Sequence, residues 1–162
     1  ERILNDRLRE LRATNIVEAR RFSEMLDRSI VALQNRAITT AQAIQELVEL
    51  AEEMNVRAAR GEELGLADDE IAFYDAITQN GSAVLEMGDE VLRALTHELV
   101  EIVKKNTNLD WTKKETVRAK MRAAVKRLLK RYKYPPDRQE SAVSLVVEQA
   151  ELFARENAPT RA

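Results

Sequence analysis

Side chains able to do acid–base or metal chemistry are few and scattered in this chain. His97 is the single histidine, and "HELVE" places Glu101 one helical turn away, enough for a two-ligand metal site at most. A rim histidine pairing locally explains the same spacing. With no second histidine, His–His metal pairs and HExxH zinc hydrolysis are excluded, and no elbow or oxyanion-hole pattern joins His97 to a hydroxyl such as Ser82. Asp68-Asp69-Glu70 could be taken for a metal or acid–base group, but three acids at a helix start are explained by the helix dipole. "GEELG" has the glycines of a phosphate loop and acids that would repel the anion, so it reads as a connector. "PPDRQE" lacks the strands that would hold a nuclease's carboxylates and lysine together, and it looks like a helix start. No catalytic residue and no metal ligand is therefore assigned.

Binding chemistry is better represented. From Lys113 to Arg138 the chain holds eleven Lys/Arg and two Asp/Glu, a balance of +9, whereas the remainder carries 15 basic and 26 acidic residues, a balance of −11. The candidate binding residues are Lys113, Lys114, Arg118, Lys120, Arg122, Lys126, Arg127, Lys130, Arg131 and Lys133. At 100° per residue, Val117, Met121, Ala124, Leu128 and Tyr132 share one face. Arg122, Lys126, Lys130 and Lys133 gather opposite, with Lys120, Arg127 and Arg131 on a flank. Such a strip suits DNA phosphates, each adding about −0.9 to the log–log salt slope. It also suits an acidic protein patch, or internal pairing with the acidic remainder. Trp111, Tyr132 and Tyr134 stand at the helix ends and could stack on bases, although with seven aromatics in all their simpler task is anchoring the helix.

The elements that must carry this strip are helical throughout. With 162 residues, 44% apolar and 33% charged, and only four Gly and three Pro, the chain suits one folded, helix-rich, soluble domain. Zero Cys removes disulfides and thiolate sites and agrees with a reducing, cytoplasmic setting. No apolar run nears the roughly 20 residues that span a bilayer. The N-terminus "ERILNDRLRE" is already amphipathic helix, which suggests a piece of a longer polypeptide.

Leu4, Leu8 and Leu11 share a first helical face that stops near Ala13 to Asn15. Phe22, Leu26, Ile30, Leu33 and Ala37 mark a second helix. Ile44, Leu47, Ala51, Met54 and Ala58 mark a third, stopped at Gly61, and the short link over 36–40 makes the pair a hairpin. Ile71, Tyr74 and Ile77 or Thr78 mark a short helix. Val91, Leu95, Leu99 and Ile102 mark a longer one that Gly88 could split. Thr112 with Glu115 is a capping-box pattern opening the basic helix near Lys113, which Pro135 and Pro136 end. Asp137 with Glu140 repeats the pattern before a last helix with Val143, Val146, Ala150 and Ala154 or Phe153 inward. The expected fold is all-α, a bundle of about six or seven helices in one domain over 1–162, with a possible subdomain joint at 61–65.

Three blocks carry a resemblance: "NRAITTAQAIQELVELAEEM", "LGLADDEIAFYDAI" and above all "DWTKKETVRAKMRAAVKRLLKRYKYPPDRQESAVSLVVEQAE". In order and spacing they resemble the C-terminal helical region of type I restriction enzyme motor subunits, from the second helix to the end. The resemblance implies a parent with an N-terminal nuclease domain and two ATP-driven translocase domains. That parent would act with methyltransferase (modification) and specificity subunits to cut unmodified DNA after translocating it. The C-terminal region would dock the motor on the methyltransferase core, with duplex DNA as the alternative partner of its basic helix, and no membrane. ATP and Mg would be needed only in the motor and nuclease domains, and no cofactor in this region. Trp111, Tyr134, Pro135, Pro136 and Asp137 match as fold-defining positions, and Arg118, Lys126 and Arg127 as members of the basic helix.

Overall fold

A computed structural model describes residues 2–79, 81–106 and 114–156. Among them the secondary structure is all helical, with nine α-helical segments, one 3-10 turn and no strand. Seven of the segments have eleven residues or more. None is long and apolar enough to cross a membrane. The chain divides into two compact units, Glu1–Gly65 and Leu66–Ala162.

In the first unit α1 (Arg2–Thr14), α2 (Ile16–Gln34) and α3 (Thr40–Ala58) pack in sequence order, followed by the single turn α4 (Arg60–Leu64). Asn15 ends α1 and caps α2: its Oδ1 accepts from the Glu18 amide at 3.2 Å, satisfying one of the helix's orphan donors. Arg36, in the left-handed region at φ 56°, closes α2. The Arg36 amide donates to Leu33 O and the Ala37 amide to Ala32 O, a Schellman pair. Thr39 and Gln42 then form a reciprocal capping box that starts α3. The core is Leu4, Leu8, Phe22, Leu26, Leu50 and Met54.

Three expectations fail in this unit: α2 ends at Gln34, so Ala37 lies beyond it and is exposed, as is Leu33 at the last turn. Gly61 lies inside α4, and it is Gly65 at φ 67° that takes the left-handed terminating position. The buried line of α3 runs through Ala43, Leu50 and Met54, whereas Ile44 is 57% exposed and Ala58 is exposed as well.

The second unit contains α5 (Asp68–Thr78), α6 (Gly81–Met87), α7 (Asp89–Asn106), α8 (Lys114–Arg131) and α9 (Gln139–Glu156). Helices α5, α7, α8 and α9 form a closed ring of packed neighbours, α9 returning to α5. The sequence suggested one inward face for α5, but every residue from Ile71 to Ile77 is buried, as befits a helix packed by α7 on one side and α9 on another. Gly88 at φ 79° separates α6 from α7. The inward line of α7 is Leu92, Leu95, Leu99 and Val103, turned one position from the expected Val91 and Ile102 at its ends; Val91 is exposed. The Tyr74 hydroxyl donates to Asp89 Oδ1 at 2.5 Å, tying α5 to the first turn of α7.

Helix α8 ends in a second Schellman pair, with Lys133 left-handed at φ 57° and the Tyr134 amide donating to Leu129 O at 2.9 Å. That turn drives Tyr134 into the core, where its hydroxyl donates to Ile77 O at 2.6 Å and satisfies a carbonyl in the last turn of α5. Pro135 is buried beside it. In place of an Asp137–Glu140 box, a 3-10 turn over Pro136–Arg138 leads into α9, and the Asp137 carboxylate pairs with Arg138. Along α9, Ala142, Val143, Val146, Val147, Ala150 and Ala154 are buried, and Phe153 meets Phe73 edge to face at 6.2 Å. The Thr112–Glu115 cap and Trp111 lie outside the described residues.

Candidate functional site

The basic helix is seated by its apolar side. Val117, Met121, Val125, Leu128 and Leu129 are buried and span about 120° of the helix circumference. Packing against α7 and α9 covers that arc. Lys120, Arg122, Lys126, Arg127 and Lys130 occupy the facing arc of about 160° and are all exposed. Lys133 is exposed just beyond the helix end.

These six cations form no ion pair with any described residue. Two others in the segment do. Arg118 reaches Glu151 of α9 at 3.4 Å, and that carboxylate also accepts from Arg155. Arg131 pairs with Glu98 of α7, whose other oxygen accepts from the Tyr132 hydroxyl at 2.8 Å. The hydrogen bond to Glu98 raises the Tyr132 pKa above the ordinary tyrosine value, with smaller contributions from burial and the carboxylate's charge. Arg118, Arg131, Tyr132 and Tyr134 therefore fasten the helix to its neighbours, and neither tyrosine is placed as a free stacking platform. Lys113 and the Lys114 side chain lie outside the described residues.

Arg122 and Lys126 also line a groove of about 190 Å³ with Gln139, Glu140, Val143 and Ser144 from the start of α9. Nothing in the sequence signalled that α9 would supply one wall. Likewise, Glu98 lies 33 residues from Arg131, beyond the reach of any local spacing rule.

The acid–base candidates are absorbed by structure. His97 Nδ1 contacts Glu70 Oε2 of α5, not Glu101. Glu70 also accepts from the Ala67 amide, Asp69 accepts from the Glu70 amide, and Asp69 pairs with Lys104. Those contacts are what a capped helix start provides. Among the described residues no cluster of His, Cys, Asp or Glu could hold a metal ion. The outer face of α8, which forms no ion pair among the described residues, is cationic and suited to binding a macromolecule of opposite charge.

Residues 1–156 match the family described as "Type I restriction enzyme HindI endonuclease subunit-like, C-terminal". The chain belongs to that family. It is 40% identical over 156 residues to the type I restriction enzyme HindI endonuclease subunit of Haemophilus influenzae, covering 96% of this chain and 15% of that protein. It is 34% identical over 131 residues to the putative type I restriction enzyme MjaIXP endonuclease subunit of Methanocaldococcus jannaschii, covering 79% of this chain and 12% of that one. The chain thus spans less than a sixth of the length of either relative. No solved structure matches it. As a C-terminal region of a type I restriction endonuclease subunit, it presents the free face of α8 as its most distinctive surface.

Proposed function

We propose that this region is a non-catalytic assembly domain, which docks an ATP-dependent translocase and endonuclease onto a methyltransferase–specificity core in the cytoplasm. In this reading residues 1–162 serve as one C-terminal module, and ATP and Mg act elsewhere in the subunit. The observation that carries it is a set of six exposed cations, five on α8 and Lys133 just beyond its end. They form no ion pair among the described residues, while the other side of the helix is locked into a core. Such a face can meet an acidic patch without first breaking an internal ion pair, at a cost of about 0.5–1.5 kcal/mol for each long side chain it immobilises. Direct, sequence-independent binding of duplex DNA by residues 113–133 is the second reading. It is favoured by Arg122, Lys126 and Lys130 lying in line at about 6 Å of helix rise per step, which suits a row of phosphates.

The deciding experiment reverses Arg122, Lys126 and Lys130 to Glu in the intact subunit. Docking requires loss of co-purification with the methyltransferase and specificity subunits, by about 2 kcal/mol of affinity or more, with DNA affinity unchanged. The DNA reading requires the opposite: a weaker complex with duplex DNA and a salt slope reduced by about 0.9 for each lost phosphate contact. If neither binding changes, the face is a solvated brace and both readings fall.

A further inference from the structure

In the first unit, α1 has 13 residues and α2 and α3 have 19 each, so α1 is about 9 Å shorter than the hairpin it packs on. Since Asn15 alone joins α1 to α2, the shortfall lies at the far end, beside the 35–39 link. There the apolar face continues beyond the core residues Leu4, Leu26 and Leu50. On α2, Ile30 and Leu33 prolong the line of Phe22 and Leu26 at four- and three-residue steps. On α3, Leu47 and Ile44 prolong the line of Met54 and Leu50, flanked by Val48. Ile30 and Leu47 touch the core only from its edge. Leu33 is 37% exposed, Val48 46% and Ile44 57%.

We propose that this strip seats an amphipathic helical segment formed by the residues that precede Glu1 in the intact subunit. Three observations select that occupant. The strip lies on the path of α1 extended backwards, and about six further residues would cover the shortfall. The matched family describes a C-terminal region, and the Haemophilus influenzae relative is more than six times the length matched, which leaves a long polypeptide upstream. The strip itself is narrow: five side chains fall far below the roughly 20–30 residues per side of a stable protein–protein interface, yet suffice for one helix of the same chain. A covalently attached segment also avoids most of the entropic cost of association. The occupant should carry apolar residues at three- and four-residue spacing in register with Leu4 and Leu8.

The test compares amide hydrogen exchange over residues 40–52 in this 162-residue chain and in the isolated, monomeric intact subunit. The expected result is exchange about tenfold slower or more in the intact subunit. That difference should vanish in an Ile44→Ser, Val48→Ser double variant, whose melting temperature in the 162-residue chain stays unchanged because both side chains already face water there. Equal exchange in the two proteins would overturn the proposal. So would protection that appears only when methyltransferase subunits are added, or only as subunit concentration rises, since those outcomes assign the strip to a partner or to a second copy.

Discussion

The helix joints of the first unit and the outer face of α8 in the second put the same kinds of side chain to different uses. In the first, arginines sit on carboxylates: Arg57 grips buried Glu18 through Nε at 2.9 and 2.8 Å, with Arg60 at 4.0 Å and Arg21 on Glu53 at 2.5 Å. In the second, six cations of the α8 segment face water with no described carboxylate on them. Both units are rich in acid, so the supply of partners does not explain the difference. A cation that lies between two helices is a fastener; one that lies on the outer arc of a single helix is a contact surface. The net charge of −2 conceals this division completely.

The sharpest way to break the contrast is to remove one member of each class. Glu18→Ala leaves Arg57 and Arg60, both largely sheltered, without their shared acceptor. It should cost the first unit about 3 kcal/mol, read from hydrogen exchange at α2 and α3 amides. Lys126→Ala should change the stability of α8 by less than about 0.5 kcal/mol. Comparable losses at the two sites would mean that Lys126 is a fastener too, and the contact-surface reading of α8 would lose its footing.

What the sequence made legible follows from the range of each signal. Helix identity and the seating of α8 were readable because a period of 3.6 and a run of apolar positions are local. Of the inward line of α8, Val117, Met121 and Leu128 came through buried, Ala124 and Tyr132 are only half-buried, and Leu129 joins the line. Local signals misplace an element once two neighbours compete for it. α5 is enclosed, so the choice of one face had no meaning there, and α7 is turned to meet α5 and α8 together, which buries Leu92 in place of Val91. Gly61 was read as the stop and Gly65 only as part of a connector, and it took backbone geometry to give the left-handed position to Gly65. At the candidate site the charge was legible and its partition was not. Glu98 and Glu151 reach Arg131 and Arg118 only once α7 and α9 flank α8.

A smaller effect comes from the buried polar groups that anchor each unit: a charged carboxylate, Glu18, in the first and a neutral hydroxyl, Tyr134, in the second. Burial raises the Tyr134 pKa from 10.0 to about 12, nearby Arg138 opposing the shift. The folded state therefore keeps this proton after the unfolded chain has released it. Its contribution is complete below pH 10 and is lost as pH rises through about 12, a fall of roughly 2 kcal/mol. Urea denaturation between pH 9 and 12 should show that extra fall in the native chain and not in Tyr134→Phe. The phenylalanine variant should be weaker at neutral pH by about 1 kcal/mol, because Ile77 O loses its donor. Curves that stay parallel across this range would remove Tyr134 as the alkaline-sensitive anchor.

The smallest effect sets one residue of each unit against its counterpart in the same backbone geometry. Arg36 ends α2 and Lys133 ends α8, both left-handed and both followed by the same pair of Schellman hydrogen bonds. A side chain with a Cβ is strained in that region and glycine is not, so Gly at either position should stabilise its unit by up to about 1 kcal/mol. If the contrast between the units holds, the two substitutions part company when binding is measured. Arg36→Gly should leave co-purification with the methyltransferase untouched. Lys133→Gly should stabilise the second unit and weaken capture by the methyltransferase, because it deletes a charge from the contact face while relieving the backbone beneath it. A residue that strains its own turn and strengthens an external contact is hard to explain as a brace. Should Lys133→Gly improve stability with no loss of capture, Lys133 leaves the contact face, which then ends at Lys130 within the helix.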